Sequence, residues 1–210
     1  MERTYGRKVI REHIILKKVL FLMGLCFLIG TLAGGLITGL NRKKPLGSTV
    51  NAVIKEEPEI KWLSDKNFKP LDVPLDEDLQ EYVWDVSKSY DIDFSLVMAV
   101  IYAESNFKSD TISKTHDYGL MQINKCNHKW LKDTLGITDF LEPKQNINAG
   151  IYVLSRLFES NEDDTTKVLM SYNMGETGAK RCWKKGIHST AYTRKVIKKQ
   201  LEFQEELKNE

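Results

Sequence analysis

Apolar residues recur at spacings of three and four along the last two thirds of the chain, which is the period of an amphipathic helix. The first such stripe begins after Pro74 and predicts a helix over residues 76–89. Its apolar positions are Leu75, Leu79, Tyr82, Val83, Val86 and Tyr90. We therefore expect one face of this helix to pack into a core while the opposite face meets water.

A second predicted helix is apolar on every side and should be buried. It runs through residues 96–103 and begins after Asp93 or Ser95, both of which are suitable helix caps. Further helical patterns lie near residues 145–159, 165–173 and 189–208. No alternating run is long enough to require a large sheet. The sequence therefore predicts a mainly α domain over residues 75–210.

A long uncharged segment lies near the start of the chain. Residues 19–40 are 22 in number and carry no charge, whereas about 20 helical residues suffice to cross the hydrocarbon layer. This predicts a single transmembrane helix; a cleaved signal peptide is the alternative, but its apolar core is usually only about 7 to 15 residues long. Six basic residues precede the segment and three follow it closely. The positive-inside rule then predicts a cytoplasmic tail, residues 1–18, and an extracytoplasmic remainder.

Residues 41–74 hold four of the five prolines and little sustained periodicity, which is typical of a linker. The charge balance changes near the same point. Residues 1–74 carry 13 Lys and Arg against 7 Asp and Glu, and residues 75–210 carry 18 against 22. Because the basic excess lies outside the region with the best-patterned core, we expect no nucleic-acid partner.

The buried helix ends in a carboxylate, Glu104, which follows eight apolar residues. Such a position has a desolvated side and an open side, and desolvation raises the pKa of a carboxyl group. A carboxyl that stays protonated near neutral pH is suited to general acid catalysis. The plain alternative is a glutamate that simply leaves the core at a helix terminus.

Three ordered motifs surround this residue in the sequence. They are Glu104-Ser105-Asn106-Phe107, Gly119-Leu120-Met121-Gln122-Ile123-Asn124 and Ser171-Tyr172-Asn173. Together they resemble the three-part signature of bacterial lytic transglycosylases of the soluble type (SLT), relatives of goose-type lysozyme. The resemblance covers roughly residues 80–197 and leaves the predicted anchor and linker unexplained.

The resemblance implies a lysozyme-like helical fold whose cleft binds peptidoglycan and cleaves the β-1,4 bond from N-acetylmuramic acid to N-acetylglucosamine. It makes Glu104 the single acid/base, and the C6 hydroxyl of the muramic residue closes a 1,6-anhydro ring without water. It also implies that Tyr172 hydrogen-bonds toward the catalytic glutamate and that Asn173 supports the cleft. The expected substrate-binding residues are Ser105, Gly119, Met121, Gln122, Asn124, Tyr172 and Asn173. Taken singly they have plain alternatives: Gly119 as a turn, Ile123 and Tyr172 as core, and Asn124 as a helix cap.

The sequence departs from the transglycosylase pattern in two places. Ser171 stands where the third motif usually begins with alanine. The residues just before Gly119 include Asp117-Tyr118, where the pattern commonly has small residues. Asp-Tyr-Gly followed by two apolar residues and Gln-Ile-Asn is similar to the second-carboxylate segment of animal-type lysozyme. Asp117 is therefore a candidate second catalytic group, and two alternatives to a transglycosylase remain: a hydrolytic muramidase and a peptidoglycan-binding scaffold with little turnover.

Two cysteines, Cys126 and Cys182, lie in the predicted domain, and an extracytoplasmic location permits them to form a disulfide. The closed loop of 57 residues would stabilise the fold by about 4 kcal/mol in the chain-entropy model. A zinc site of these cysteines with His128 and His188 is the alternative, although its spacings depart from the usual pairs. We expect no metal and no cofactor.

Several aromatic side chains offer faces on which sugar rings can stack, although aromatic groups on short helices are more often core residues. They are Tyr118, Trp130, Trp183 and Tyr192. The expected partners are peptidoglycan glycan strands and, through the single membrane pass, the cell membrane. A tethered wall-cleaving enzyme is also compatible with an envelope-spanning secretion, conjugation or phage apparatus.

Overall fold

The structure, a computed structural model, describes residues 67–209. It contains six helices and one short hairpin: α1 (Glu77–Ser89), α2 (Phe94–Ser105), β1 (Asp117–Tyr118), β2 (Ile123–Asn124), α3 (Lys125–Leu135), α4 (Pro143–Ser160), α5 (Thr165–Lys184) and α6 (Ala191–Asn209). The mainly α class expected from the sequence is confirmed. The predicted tail 1–18, the predicted transmembrane segment 19–40 and most of the predicted linker lie outside the described residues. Among residues 67–209, no helix combines the length and the apolar character needed to span a bilayer.

The first helix begins one residue later than the periodicity predicts, at Glu77, and ends at Ser89 as predicted. Its buried face includes an unexpected polar residue, Gln80, which is 1% exposed. The Gln80 side chain accepts a hydrogen bond from the Leu71 N–H at 2.8 Å and donates to the carbonyls of Leu71 and Leu75. Because Leu71 is itself part of the core, these bonds hold the segment before α1 against the domain.

Helix α2 forms the centre of the core, as its uniformly apolar sequence predicts. Asp93 caps its first turn by accepting a hydrogen bond from the Leu96 N–H, and Asn106 ends it in the left-handed conformation at φ 51°. Every residue from Phe94 to Ile101 is buried. Burying a large aliphatic side chain contributes roughly 1.5–3 kcal/mol. Helix α2 packs most extensively on α6, so the end of α2 is fixed relative to the last helix.

The short hairpin between α2 and α3 pairs Asp117 with Asn124 and Tyr118 with Ile123. Asn124 then caps α3, because its side chain accepts a hydrogen bond from the Cys126 N–H at 3.0 Å. The sequence patterns did not predict α3, because the helix is mostly polar and Leu131 is its one buried residue. Helix α5 also runs beyond the predicted end at residue 173, since Gly175 kinks it at φ 71° and ψ 154° without ending it.

A buried asparagine on α4 holds the hairpin turn. Asn146 is fully buried; its Oδ1 accepts from the Met121 N–H at 2.8 Å, and its Nδ2 donates to the carbonyls of Tyr118 and Phe140, each at 2.7 Å. Gly119 is required beside it for two reasons: its φ is 74°, and an added Cβ would lie 2.5 Å from Asn146 Nδ2. The hairpin turn therefore packs closely against helix α4, and there is no space for a side chain at position 119.

Replacing Asn146 by alanine should lower the free energy of unfolding by about 3 kcal/mol or more. The substitution leaves one N–H and two carbonyls without their partner, and each unsatisfied buried group costs about 1–3 kcal/mol. Chemical denaturation measures the change. Asn173→Ala is the matched control, because it removes an exposed amide of the same size. Equal stabilities of the two variants would contradict this role of Asn146.

Candidate active site

Glu104 lies in the last turn of α2 with its carboxyl largely enclosed by protein and one side still accessible to water. Burial raises the pKa of this carboxyl to about 7, and the negative charge of Asp117 acts in the same direction. The hydrogen bond from Tyr192 and the positive charge of Lys195 oppose the rise. Near neutral pH both protonation states of Glu104 are therefore well populated, as a group that must first donate and then accept a proton requires.

Tyr192 on α6 is the hydrogen-bond partner of the Glu104 carboxyl. The Tyr192 hydroxyl donates a hydrogen bond to Glu104 Oε1 at 2.6 Å. The start of α6 is fixed by Thr190 and Thr193: the Thr193 N–H donates to Thr190 Oγ1 at 3.2 Å, and the Thr190 N–H donates to Thr193 Oγ1 at 2.9 Å. This reciprocal cap sets where the first turn of α6 begins, and thus where Tyr192 lies.

Lys195, one turn after Tyr192, brings a positive charge beside the same helix end. Its Nζ donates to the Ala103 carbonyl at 3.1 Å and lies 4.9 Å from the centroid of the Tyr102 ring. The Ala103 carbonyl belongs to the last turn of α2, where backbone dipoles present partial negative charge. Lys195 therefore offsets part of the cost of ionising Glu104 there.

Tyr172 does not form the hydrogen bond that the family resemblance implied. Its hydroxyl donates to the Met121 carbonyl at 2.8 Å, so it joins α5 to the hairpin turn. Burial raises the pKa of Tyr172 well above its usual value, with Glu104 and Asp117 adding to the effect, so its hydroxyl lies in the field of both carboxylates. The expectation for Tyr172 was wrong about its partner, and the residue that bonds Glu104 is Tyr192.

Asp117 is held by a cradle of three polar side chains, the Asp117 cradle, formed by Ser113, Thr115 and Asn124. Ser113 Oγ donates to Asp117 Oδ2 at 2.6 Å, Asn124 Nδ2 donates to Oδ1 at 2.6 Å, and the Thr115 hydroxyl also donates to Oδ2. Burial by itself would raise the pKa of Asp117, but these three donors and nearby His116 outweigh it, and the pKa is lowered. Asp117 is thus ionised at a pH where much of Glu104 is protonated.

Several expected substrate-binding residues are engaged in the fold itself. Gln122 Nε2 donates to the carbonyls of Thr111 and Gly119, at 3.1 and 2.8 Å. Met121 is fully buried beside Gly150, where an added Cβ would lie 2.2 Å from the methionine sulfur. Ser105 is buried, with its hydroxyl on the Ile101 carbonyl at 3.2 Å.

Of the remaining expected substrate-binding residues, two stabilise the fold and one lies at the surface. Gly119 forms the turn against Asn146, Asn124 both caps α3 and holds Asp117, and Asn173 is exposed. The hairpin motif therefore shapes the wall of the site, and its side chains are directed mainly into the protein. Glu104, Asp117, Tyr172 and Tyr192 are the groups that the structure brings into one electrostatic environment.

The predicted disulfide is absent from the structure, where Cys126 and Cys182 are both free. Cys126 is exposed in the first turn of α3, whereas the Cys182 thiol is half-buried and lies 3.7 Å from Met174 Sδ. The zinc alternative is not supported either. His128 stacks on Phe140 with ring centroids 3.6 Å apart, and residues 67–209 contain no group of three His, Cys, Asp or Glu placed to hold a metal ion.

Comparison with known proteins assigns this chain to a family. The model of the transglycosylase SLT domain matches residues 81–194, so the chain belongs to that family, as the three motifs indicated. A membrane-bound lytic murein transglycosylase F from Desulfosudis oleivorans is 37% identical over 89 residues, which are 40% of this chain and 19% of that protein. A transglycosylase from Enterobacteria phage PRD1 is 31% identical over 118 residues, 56% of this chain and 41% of that protein. The match thus spans less than half the length of these relatives.

A solved structure supports the fold. An inactive mutant of the lytic transglycosylase Slt from Pseudomonas aeruginosa superposes with a TM-score of 0.54 at 20% sequence identity. The match covers 60% of this chain and 24% of that one. The lysozyme-like helical fold expected from the motifs is therefore confirmed.

Ser171, at the position where the third motif usually has alanine, carries a buried hydroxyl for which the structure offers no hydrogen-bond partner. Ser171→Ala should therefore raise the free energy of unfolding, by about 1 kcal/mol, because it removes an unsatisfied polar group. Chemical denaturation again measures the change. Ser155→Ala serves as control, since the Ser155 hydroxyl bonds the Tyr152 carbonyl at 2.8 Å and its removal should bring no gain. A loss of stability in Ser171→Ala would refute this reading.

Tyr192→Phe should raise the pKa of Glu104 above about 7, because the lost hydrogen bond favours the ionised carboxylate. Tyr172→Phe is the matched control: it removes the same hydroxyl from a neighbouring tyrosine that bonds Met121 and not Glu104. Carbon-13 NMR titration of the Glu104 carboxyl measures both values. A larger shift in Tyr172→Phe than in Tyr192→Phe would show that the tyrosine assignments are reversed.

Proposed function

We propose that this chain is a peptidoglycan lytic transglycosylase that cleaves the β-1,4 bond from N-acetylmuramic acid to N-acetylglucosamine and leaves 1,6-anhydromuramic ends. Glu104 is its single general acid/base. The observation that carries the proposal is the half-enclosed Glu104 carboxyl, bonded by Tyr192 and with a pKa of about 7. Membership of the transglycosylase SLT domain family supports the choice of reaction and substrate.

In the first step, protonated Glu104 gives its proton to the glycosidic oxygen as the bond from that oxygen to C1 of the muramic residue breaks. The carboxylate left behind is favoured by the Tyr192 hydrogen bond and by the charge of Lys195. In the second step the C6 hydroxyl attacks C1, and its proton passes to Glu104, which returns to its starting form. The nucleophile is part of the substrate, so little entropy is lost in bringing it to the reacting carbon.

Asp117 supports a second candidate reaction, hydrolysis to reducing ends. Its cradle holds an ionised carboxylate in the electrostatic environment of a largely protonated Glu104. Two carboxyl groups with pKa values pushed apart are the arrangement that retaining and inverting glycosidases use. In that scheme Asp117 stabilises or attacks the positively charged C1, and water completes the reaction. A scaffold that binds peptidoglycan with little turnover would use the same cleft without these steps.

The proposed location follows from the substrate and from the sequence before the domain. We place residues 1–18 in the cytoplasm, residues 19–40 across the cell membrane as a single pass, residues 41–74 as a linker and the catalytic domain, residues 75–210, outside. A tether of this kind confines cleavage to the wall near the anchor. The relative from Desulfosudis oleivorans is named as membrane-bound, which supports membrane attachment of this chain. Such a tether is also compatible with a role beside an envelope-spanning secretion, conjugation or phage apparatus.

Glu104→Gln should lower the rate of muropeptide release from purified sacculi by about 10²-fold or more, the usual contribution of a general acid. Glu159→Gln, which changes an exposed glutamate in an ion pair with Arg156, is the control and should leave release unchanged. Mass spectrometry of the products distinguishes the reactions. Wild-type activity in Glu104→Gln would remove the proposed catalyst.

Asp117→Asn separates the two candidate reactions. Anhydro ends from the wild-type chain, together with measurable release by Asp117→Asn, support the transglycosylase. Reducing ends, together with abolished release in Asp117→Asn, support the muramidase. Retained binding to sacculi with no release from any variant supports the scaffold.

A further inference from the structure

Three aromatic side chains lie next to one another, one directly after α1 and one each on α3 and α4; the two tyrosines pack partly against the core and the tryptophan is exposed. We call Tyr90, Trp130 and Tyr152 the aromatic row. The Trp130 ring centroid lies 5.9 Å from that of Tyr152 with the ring planes inclined at 45°, and the Tyr152 centroid lies 6.2 Å from that of Tyr90 with the planes inclined at 65°. Tyr90 directly follows α1, Trp130 belongs to α3 and Tyr152 to α4, whereas Tyr192, Lys195 and Asp117 belong to α6 and the hairpin.

Trp130 is not a core residue of α3. It is 38% exposed, while its neighbour Leu131 is the residue by which α3 enters the core. The Trp130 Nε1 donates to Asn127 Oδ1 at 3.1 Å, one turn earlier on the same helix. The hydrogen bond satisfies the polar edge of the indole and limits its rotation, so that a flat apolar face is held in contact with water.

The two tyrosines give the row a polar edge. Tyr90 and Tyr152 are half-buried, and burial raises the pKa of Tyr90, with Tyr152 and Tyr82 contributing in the same direction. The Tyr90 hydroxyl is therefore neutral at physiological pH. A tryptophan face with tyrosine hydroxyl groups beside it matches a ligand that has both apolar faces and hydroxyl groups.

The charged side chains that flank Trp130 and Tyr152 are paired within their own helices. Lys129 lies 2.8 Å from Asp133, and Arg156 lies 3.0 Å from Glu159. Charges neutralised in this way offer little attraction to a polyanion or to an anionic membrane surface. The charge pattern therefore favours an uncharged ligand surface.

We propose that the aromatic row is a second binding site for glycan strands, apart from the cleft that holds Glu104. A pyranose ring stacks on the exposed face of Trp130, because the C–H bonds of a sugar face carry partial positive charge and meet the negative face of the aromatic ring. The ligand class rests on the proposed function. A chain held at two points stays on a polymeric strand after the cleft has released its product, which lowers KM for the polymer and leaves the chemistry at Glu104 unchanged.

Sedimentation of the detergent-solubilised full-length chain with purified sacculi tests this site. All variants carry Glu104→Gln, so that turnover does not remove the ligand. Trp130→Ala should weaken binding by about fivefold, the scale of one aromatic stacking contact, and Trp130→Phe should recover part of the loss. Leu201→Ala is the control, because Leu201 is an exposed apolar residue on α6 at 56% exposure and its loss should not alter binding. Circular dichroism verifies that each variant is folded.

A second measurement restores Glu104 and compares kinetics on sacculi and on a short soluble glycan fragment. Trp130→Ala should raise KM for sacculi about fivefold, with kcat and the rates on the short fragment unchanged. Unchanged sacculus binding in Trp130→Ala, or an equal loss in Leu201→Ala, would overturn the aromatic row. Sacculi that bind through Trp130 but are not cleaved by the wild-type chain would instead contradict the proposed function and leave the row intact.

Discussion

The candidate site depends on one unfavourable placement, a carboxyl group enclosed at the end of a fully apolar helix. Helix α2 buries every residue from Phe94 to Ile101 and then presents Glu104 where backbone dipoles carry partial negative charge. Both effects penalise the ionised form, and the pKa of Glu104 rises to about 7, with burial as the main cause. The hydrogen bond from Tyr192 and the positive charge of Lys195 stabilise the ionised carboxylate and limit the rise in its pKa. The protonation state is thus set by a balance between α2, which favours the acid, and α6, which favours the carboxylate.

This balance has a consequence for stability. A carboxyl whose folded pKa lies above its ordinary value contributes stability that is fully present below the ordinary pKa of 4.5 and is lost as the pH rises through about 7. The raised pKa of Glu104 therefore lowers the free energy of unfolding at neutral and alkaline pH. Packing elsewhere offsets this cost, including the Asn146 contacts that fix the hairpin turn and the extensive packing of α2 on α6. A strained or destabilised group that the remaining structure tolerates is typical of a catalytic position.

Local periodicity was sufficient to predict α1 and α2, because each helix depends on residues a few positions apart. It also predicted that Glu104 has one side desolvated by protein and one side open to water. The hydrogen bond from Tyr192 to Glu104 joins residues 88 positions apart, and nothing in the spacing around Tyr192 distinguishes a carboxylate partner from a core aromatic. The same reason explains the wrong partner for Tyr172, whose bond to Met121 spans 51 positions. Helix α3 was missed because its composition is polar and Leu131 is its one fully buried residue. Two cysteines in one domain permitted a disulfide, but their separate positions on α3 and α5 do not bring the thiols together.

The two carboxylates also bear on which nucleophile reaches C1. The two candidate reactions share Glu104 as the proposed acid, and the Asp117-Tyr118 segment is one of the two places where the sequence departs from the usual transglycosylase pattern. The cradle keeps Asp117 ionised, and its negative charge adds to the burial that raises the pKa of Glu104. The second step differs, because hydrolysis needs an ordered water where transglycosylation needs only the tethered C6 hydroxyl. In the proposed transglycosylation the substrate itself holds the C6 hydroxyl near C1, so Asp117 has a direct part only in the hydrolytic alternative.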